Sequence, residues 1–252
     1  MTATNSVRAR TGNVSAGTSA FAMLVADHEL GVHREICMVT TPAGLPVAMV
    51  HCANCTSDIN AWVNLLAEFA ESIGAKISKN ELYTMLFNKA LEGENDCGGL
   101  MSCNYYSGEG VTDFDEGRPL FVRTPDAKLG LADFMRTHLM SALATLKIGM
   151  DILTEKESVQ IDKLYGHGGF FKTPEVGQRL LSAAVGAPVS VMETAGEGGP
   201  YGMALLASYM IQKNDGESLE DYLDDKVFAG AVSETLEASA DDEAGFAAFL
   251  ER

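Results

Sequence analysis

Three short glycine-bearing stretches hold the residue types that could do chemistry on a charged ligand. In SAGTSAF, Gly17 with Thr18 and Ser19 spells a tight turn between two apolar runs. Such a turn presents backbone N–H groups and hydroxyls, which suit phosphate oxygens. In GHGGFFKTP, Gly168 and Gly169 follow a short apolar run and precede a helix start. Bare backbone there can come close to a flat base or a sugar, and a helix N-terminus favours an anion. In GEGGPYG, Gly196, Gly198 and Gly199 stand before another helix start. Each stretch taken alone also has a purely structural reading, because only glycine takes positive φ without penalty. The chain has no GxxxxGK[ST] loop, no dinucleotide fingerprint and no G-x-S-x-G elbow. Cys52 and Cys55 form a CxxC beside His51. A zinc site needs about four ligands, and Cys37, Cys97 and Cys103 supply no second pair. Reduced thiols at a strand end are the simpler reading of an odd set of five cysteines.

The elements that must position these turns follow from periodicity. Residues 13–26 hold two apolar runs broken by Gly17-Thr18-Ser19, and 36–40 and 47–52 are β-rich runs separated by Pro42, Gly44 and Pro46, so the domain opens with antiparallel hairpins. A helix follows, with Ser57 or Asp58 as N-cap; Ile59, Trp62, Leu65, Leu66, Phe69 and Ile73 form its apolar stripe and Gly74 closes it. Residues 92–118 read as a long polar excursion, and 131–153 as a long helix with His138, a structural histidine, beside its apolar face. After that, helix and strand alternate. A strand at 161–165 precedes the second glycine turn. Thr173-Pro174-Glu175 then starts a helix, 189–192 is a strand, and Pro200 opens a further helix.

The 252 residues carry a net charge of −17, and 46% are hydrophobic. That is enough length and apolar content for a substantial core. Without a basic surface the chain is not expected to bind nucleic acid or an anionic membrane. From 213 to 252 there are 12 Asp/Glu against 3 Lys/Arg, a charge of −9 in an expected acidic extension, helical or partly disordered. The first residues lack an apolar signal core, and no stretch reaches the roughly 18 apolar residues of a spanning helix. A cytoplasmic protein is the expectation.

Taken together, the motifs resemble the C-terminal domain of FGGY-type carbohydrate kinases. NVSAGTSAFAM resembles the opening of that domain, where a Gly-Thr turn meets the ATP phosphates. GGLMSCNYYSGE with DEGRPLF, GLADFMRTHLMSALATLKIGMDIL, GHGGFFKTPEVGQRLLSAAVGAPV and EGGPYGMALLA resemble four further stretches of the family, in the family's order. The resemblance implies an α/β, actin-like ATPase (ribonuclease H-like) fold, a mixed sheet flanked by helices. It implies a hinge remnant at 1–12, a nucleotide-binding domain at 13–212 and the acidic extension at 213–252. Gly17, Thr18 and Ser19 would meet phosphates, with Ser57 near a further phosphate-side turn. Gly168 and Gly169 would pass beneath the adenosine, and Gln178 matches a glutamine of the family. Phe170 and Phe171 replace a glycine and an alanine of the family, and would either stack on adenine or fill its pocket.

The implied reaction is phosphorylation of a sugar hydroxyl by ATP with Mg2+. A ketopentose such as xylulose is the substrate expected from overall similarity. Its partners on this reading are ATP or ADP and a sugar held through the other domain, with a homodimer left open. The family's catalytic aspartate lies just before the first strand, but residues 1–12 hold no Asp or Glu. Asp27, beyond the second apolar run, reads as a solvated turn residue. This chain alone is therefore expected to bind nucleotide weakly without turning over sugar. Two other readings compete: a non-catalytic nucleotide-binding or regulatory module, and a small CxxC metal or redox protein.

Overall fold

The first two strands, β1 (Thr11–Ala16) and β2 (Ala20–Val25), pair antiparallel with Ala16 opposite Ala20. Their alternation separates two faces. Val14, Ala16, Ala20, Ala22 and Leu24 enter the main core, whereas Asn13, Phe21 and Met23 line a cleft on the other side. This computed structural model describes residues 1–192 and 198–252. Strands β3 (Ile36–Thr40) and β4 (Pro46–Cys52) extend the antiparallel half of the sheet.

Helix α1 (Thr56–Ser72) leaves the end of β4, and α2 (Lys79–Ala90) follows it, started by a capping box between Ser78 and Glu81. A two-stranded ribbon of β5 (Leu100–Cys103) and β6 (Leu120–Arg123) occupies the polar excursion. Helix α3 (Leu131–Asp151) is the spine of the domain: Met135, Leu139, Leu143, Leu146 and Met150 are all buried. It presses closest to the sheet at Gly149, where a Cβ would lie 2.3 Å from Val50 Cγ1. Parallel strands β7 (Lys163–His167) and β8 (Val189–Met192) are linked through α4 (Val176–Val185), the crossover that parallel pairing requires.

Helix α5 (Gly198–Gln212) and the short α6 (Leu219–Tyr222) pack with Val7 around a second, smaller cluster that includes Leu205 and Leu223. The chain ends with β9 (Ser233–Leu236) and α7 (Ala240–Glu251). The sheet has seven strands in the order β3-β4-β2-β1-β7-β8-β9 and mixes parallel with antiparallel pairs, flanked by helices as the resemblance implied. Among the described residues no helix is long and apolar enough to cross a membrane.

Two expectations are corrected. The acidic end does not trail away from the domain: β9 pairs with β8, and Phe246 and Phe249 of α7 enter the main core. Its charge is tied down at Asp242, which accepts from Arg136 Nη2 at 2.9 Å and from Arg179 Nε at 2.8 Å. Helix α1 is also not capped by Ser57 or Asp58. Its N-cap is Cys55, two residues before Ser57, and the helix starts at Thr56, because the hairpin turn supplies carbonyls to the first N–H groups. Nor is its apolar stripe fully buried: Ile59 is, but Leu65, Phe69 and Ile73 are exposed. Trp62 is half-buried against Phe134 and His138.

Candidate nucleotide cleft

The site begins at the β1–β2 turn. Gly17 N–H donates to the Ser19 carbonyl at 2.9 Å, which closes the turn tightly. The Thr18 carbonyl accepts from Cys55 N–H at 2.9 Å, and the Gly17 carbonyl accepts from Thr56 N–H at 3.0 Å and from Thr56 Oγ1 at 2.8 Å. The turn and the start of α1 are thus one rigid unit. Thr18 is exposed, Gly17 and Ser19 are half-buried, and Ser57 lies half-buried in the first turn of α1.

The second glycine turn comes to the same place because β7 pairs in parallel beside β1. Gly168 follows the last residue of β7 with φ 100 and ψ −177, backbone angles that only glycine adopts readily. A Cβ on it would lie 2.6 Å from the Ala16 carbonyl oxygen, so its backbone lies directly against the residue preceding Gly17. Gly169 is exposed, and nothing lies within 4 Å of where its Cβ would be.

Between this backbone and the helices is a cleft of about 470 Å³. Thr56 and Asn60 of α1, Tyr83 and Thr84 of α2, and Gly169 and Lys172 line it. The Tyr83 hydroxyl donates to Asn60 Oδ1, joining the two helices at its wall. Lys172 is exposed and is the one charged side chain in the lining among the described residues. Bare backbone, hydroxyls, amides and a single cation suit an elongated anionic ligand with a flat end. Among the described residues no carboxylate lines this cleft.

Gly17, Thr18, Ser19, Ser57, Gly168 and Gly169 therefore gather at one end of the sheet. Phe170 and Gln178 do not join them. Phe170 is fully buried, its ring 5.9 Å from that of Phe87 and 5.7 Å from that of Phe171, so it packs the core and neither stacks on a base nor fills the cleft. Gln178 is buried, and its amide nitrogen Nε2 donates to the carbonyls of Val189 at 3.2 Å and Glu234 at 2.9 Å. It anchors α4 to β8 and β9 instead of reaching a ligand. Of the third glycine stretch, Gly198 and Gly199 open α5 on the other side of the sheet, and Gly196 lies outside the described residues. Asn60, Tyr83 and Thr84 have no signal in the sequence, since only the packing of α1 on α2 brings them to the turn. Lys172 was missed as well, although its place three residues after Gly169 is a signal that could have found it.

The remaining chemical candidates lie elsewhere. Cys52 and Cys55 are buried free thiols. Burial pushes the Cys52 thiol up to about 12 and Cys55 higher still, far from the thiolate needed for metal or redox chemistry. Asp27 lies beyond the opposite end of β2 from the turn and accepts from His28 Nδ1 at 2.6 Å.

The comparisons with known proteins agree with this architecture. The model of the C-terminal domain of the FGGY family of carbohydrate kinases matches residues 12–211. No curated protein matches the chain. Among solved structures it is similar to xylulose kinase from Rhodospirillum rubrum, with a TM-score of 0.76 at 15% identity over 99% of this chain and 47% of that one. Gluconate kinase from Lactobacillus acidophilus gives 0.75 at 14%, over 99% of this chain and 47% of that one. Glycerol kinase from Plasmodium falciparum, solved with ADP, gives 0.71 at 12%, over 97% and 46%. The chain spans about half the length of these structures.

Proposed function

Because the chain belongs to the FGGY family of carbohydrate kinases, matching their C-terminal domain, we propose that it is the nucleotide-holding half of an enzyme moving the terminal phosphoryl group of ATP to a sugar hydroxyl. The observation that carries this reading is the contact of Gly168 with Ala16, which sets the two glycine turns side by side next to a cleft that Gly169 and Thr56 line. Phosphoryl transfer asks a protein mainly for positioning and neutralisation of charge. The turn at Gly17, Thr18 and Ser19 holds the phosphate end, with Ser57 behind it. Gly168 and Gly169 carry the adenosine on bare backbone, against the wall made by Asn60 and Tyr83. ATP is used with Mg2+, which supplies charge neutralisation on the phosphates.

The acceptor is a ketopentose such as xylulose. The likeness to xylulose kinases supports this, and the gluconate and glycerol kinases mark the neighbouring choices. No carboxylate that could take the proton from the sugar hydroxyl is among the described residues lining the cleft. The 252-residue chain alone is therefore expected to bind ATP and ADP without phosphorylating sugar. The buried Phe170 removes the reason to read the chain as a module with a blocked pocket.

Thermal-shift and calorimetric titration with ATP and ADP tests the nucleotide half of the proposal: no stabilisation at millimolar nucleotide would reject it. A coupled assay with ATP, Mg2+ and ketopentoses tests the rest. Sustained turnover by this chain would show that the base lies within it.

A further inference from the structure

The face of the sheet opposite the main core carries a second polar feature, which the nucleotide cleft does not use. Asn13, in the middle of β1, is fully buried, and its Nδ2 stands 3.1 Å from His167 Nε2 at the end of β7. Asn13 Oδ1 has no partner among the described residues, although it too is buried. Both residues line a cleft of about 330 Å³ whose other walls include Phe21, Met203, Leu206 and the glycines that open α5. The far nitrogen of the imidazole, Nδ1, faces those glycines, 3.7 Å from where a Gly198 Cβ would be.

The chemistry of this couple narrows what can fill it. With Nδ2 donating to Nε2, the imidazole proton is on Nδ1, and the pair offers two donors, Nδ1–H and the second Nδ2–H, and one acceptor, Oδ1. With the amide turned over, Nε2–H donates to Oδ1, and the pair offers both Nδ2–H groups as donors and Nδ1 as acceptor. Either arrangement presents neutral donors together with a neutral acceptor. Burial keeps the ring uncharged by lowering it to about 4. A carboxylate would leave the acceptor unmatched, and an ammonium would leave the donors unmatched. A hydroxyl matches both, because it donates and accepts at once. In either arrangement one polar end of the buried amide is left unpaired, which is costly, so a ligand hydroxyl that satisfies it is recognised rather than merely accommodated. The apolar walls suit the carbon side of a polyol or sugar.

We propose that Asn13 and His167 form a positioning site for one hydroxyl of the phosphoryl acceptor, so that this half of the enzyme takes part in choosing the sugar. The inference rests on the kinase reading above. His167 directly precedes Gly168, so a single stretch of backbone connects the hydroxyl-binding couple to the nucleotide cleft.

The test is NMR of the 252-residue chain with labelled histidine and asparagine side chains. It is titrated separately with D-xylulose, glycerol, tetrahydropyran as a ring without hydroxyls, and sodium acetate. The expected result is a saturable shift of the His167 ring and Asn13 amide signals with xylulose or glycerol. Those shifts are expected to weaken about tenfold in apparent affinity in His167→Gln, the loss of one hydrogen bond. Asn13→Ala is the second variant, and a thermal melt of each variant establishes that it is folded. Unmoved signals with both polyols at tens of millimolar would overturn the proposal, as would equal shifts with tetrahydropyran or acetate. A parallel ATP titration, read at Thr18, Ser19 and Gly169, keeps the two ideas apart. Shifts there without polyol shifts at His167 reject the hydroxyl site alone, whereas no ATP shifts reject the nucleotide reading.

Discussion

A buried glutamine and a left-handed glycine show how much one residue's surroundings decide. Gly168 owes its identity to two independent facts, its positive φ and the 2.6 Å approach of a would-be Cβ to the Ala16 carbonyl. Gln178 has the polarity of a ligand-binding residue, but both its bonds go to sheet carbonyls. Replacing it with Ala leaves those buried acceptors short of a donor. Gln178→Ala should therefore cost about 2 kcal/mol of stability with ATP affinity unchanged, as read by denaturant melts beside calorimetry. An affinity loss at wild-type stability would return Gln178 to the nucleotide site.

At the scale of elements, the acidic C-terminal stretch holds the domain together through a few well-placed contacts. Helix α7 opens with a capping box in which Ser239 Oγ and Asp242 pair reciprocally with each other's backbone. The same Asp242 receives Arg136 from α3 and Arg179 from α4, so one carboxylate locks three helices. Burial alone would raise its pKa, but the bonds from Arg179, Ser239 and Arg136 outweigh that and bring it to about 2. Asp242→Asn keeps the shape and removes the charge. It should destabilise the chain by roughly 3 kcal/mol, since it leaves the Arg136 guanidinium buried without its counter-charge. Equilibrium urea unfolding reads this directly, and a loss below about 1 kcal/mol would mean the pair contributes little beyond packing.

For the molecule as a whole, stability should fall in two stages on acidification. His167 is held down to about 4 from its ordinary 6.5, so the unfolded chain binds that proton first. Its contribution is complete above about pH 6.5 and is lost as the pH falls from there toward 4. Asp242 has its pKa lowered to about 2, so its contribution is complete above the ordinary carboxylate value and is lost as the pH falls from about 4 toward 2. Unfolding midpoints measured from pH 7.5 to 2.5 should show both stages. His167→Gln should remove the upper one and leave the lower.

The family, the antiparallel opening followed by alternating helix and strand, and the two glycine turns were all legible in the order of the residues. These depend on local rules: glycine where backbone must come close, apolar periods of two and 3.6, and motifs in a fixed order. The sequence also placed 131–153 as one long helix, and α3 with the turn that follows it occupies that stretch. Which neighbours those residues meet was settled by long-range packing. The parallel pairing of β1 with β7 brought Gly168 to Gly17, and α2 folding back on α1 placed Tyr83 at the cleft. Core packing turned Phe170 inward, and a strand pairing drew the acidic end into the sheet. Those outcomes depend on long-range contacts, which composition and periodicity do not encode: a ring beside a glycine turn has the same local sequence whether it faces a ligand or the core.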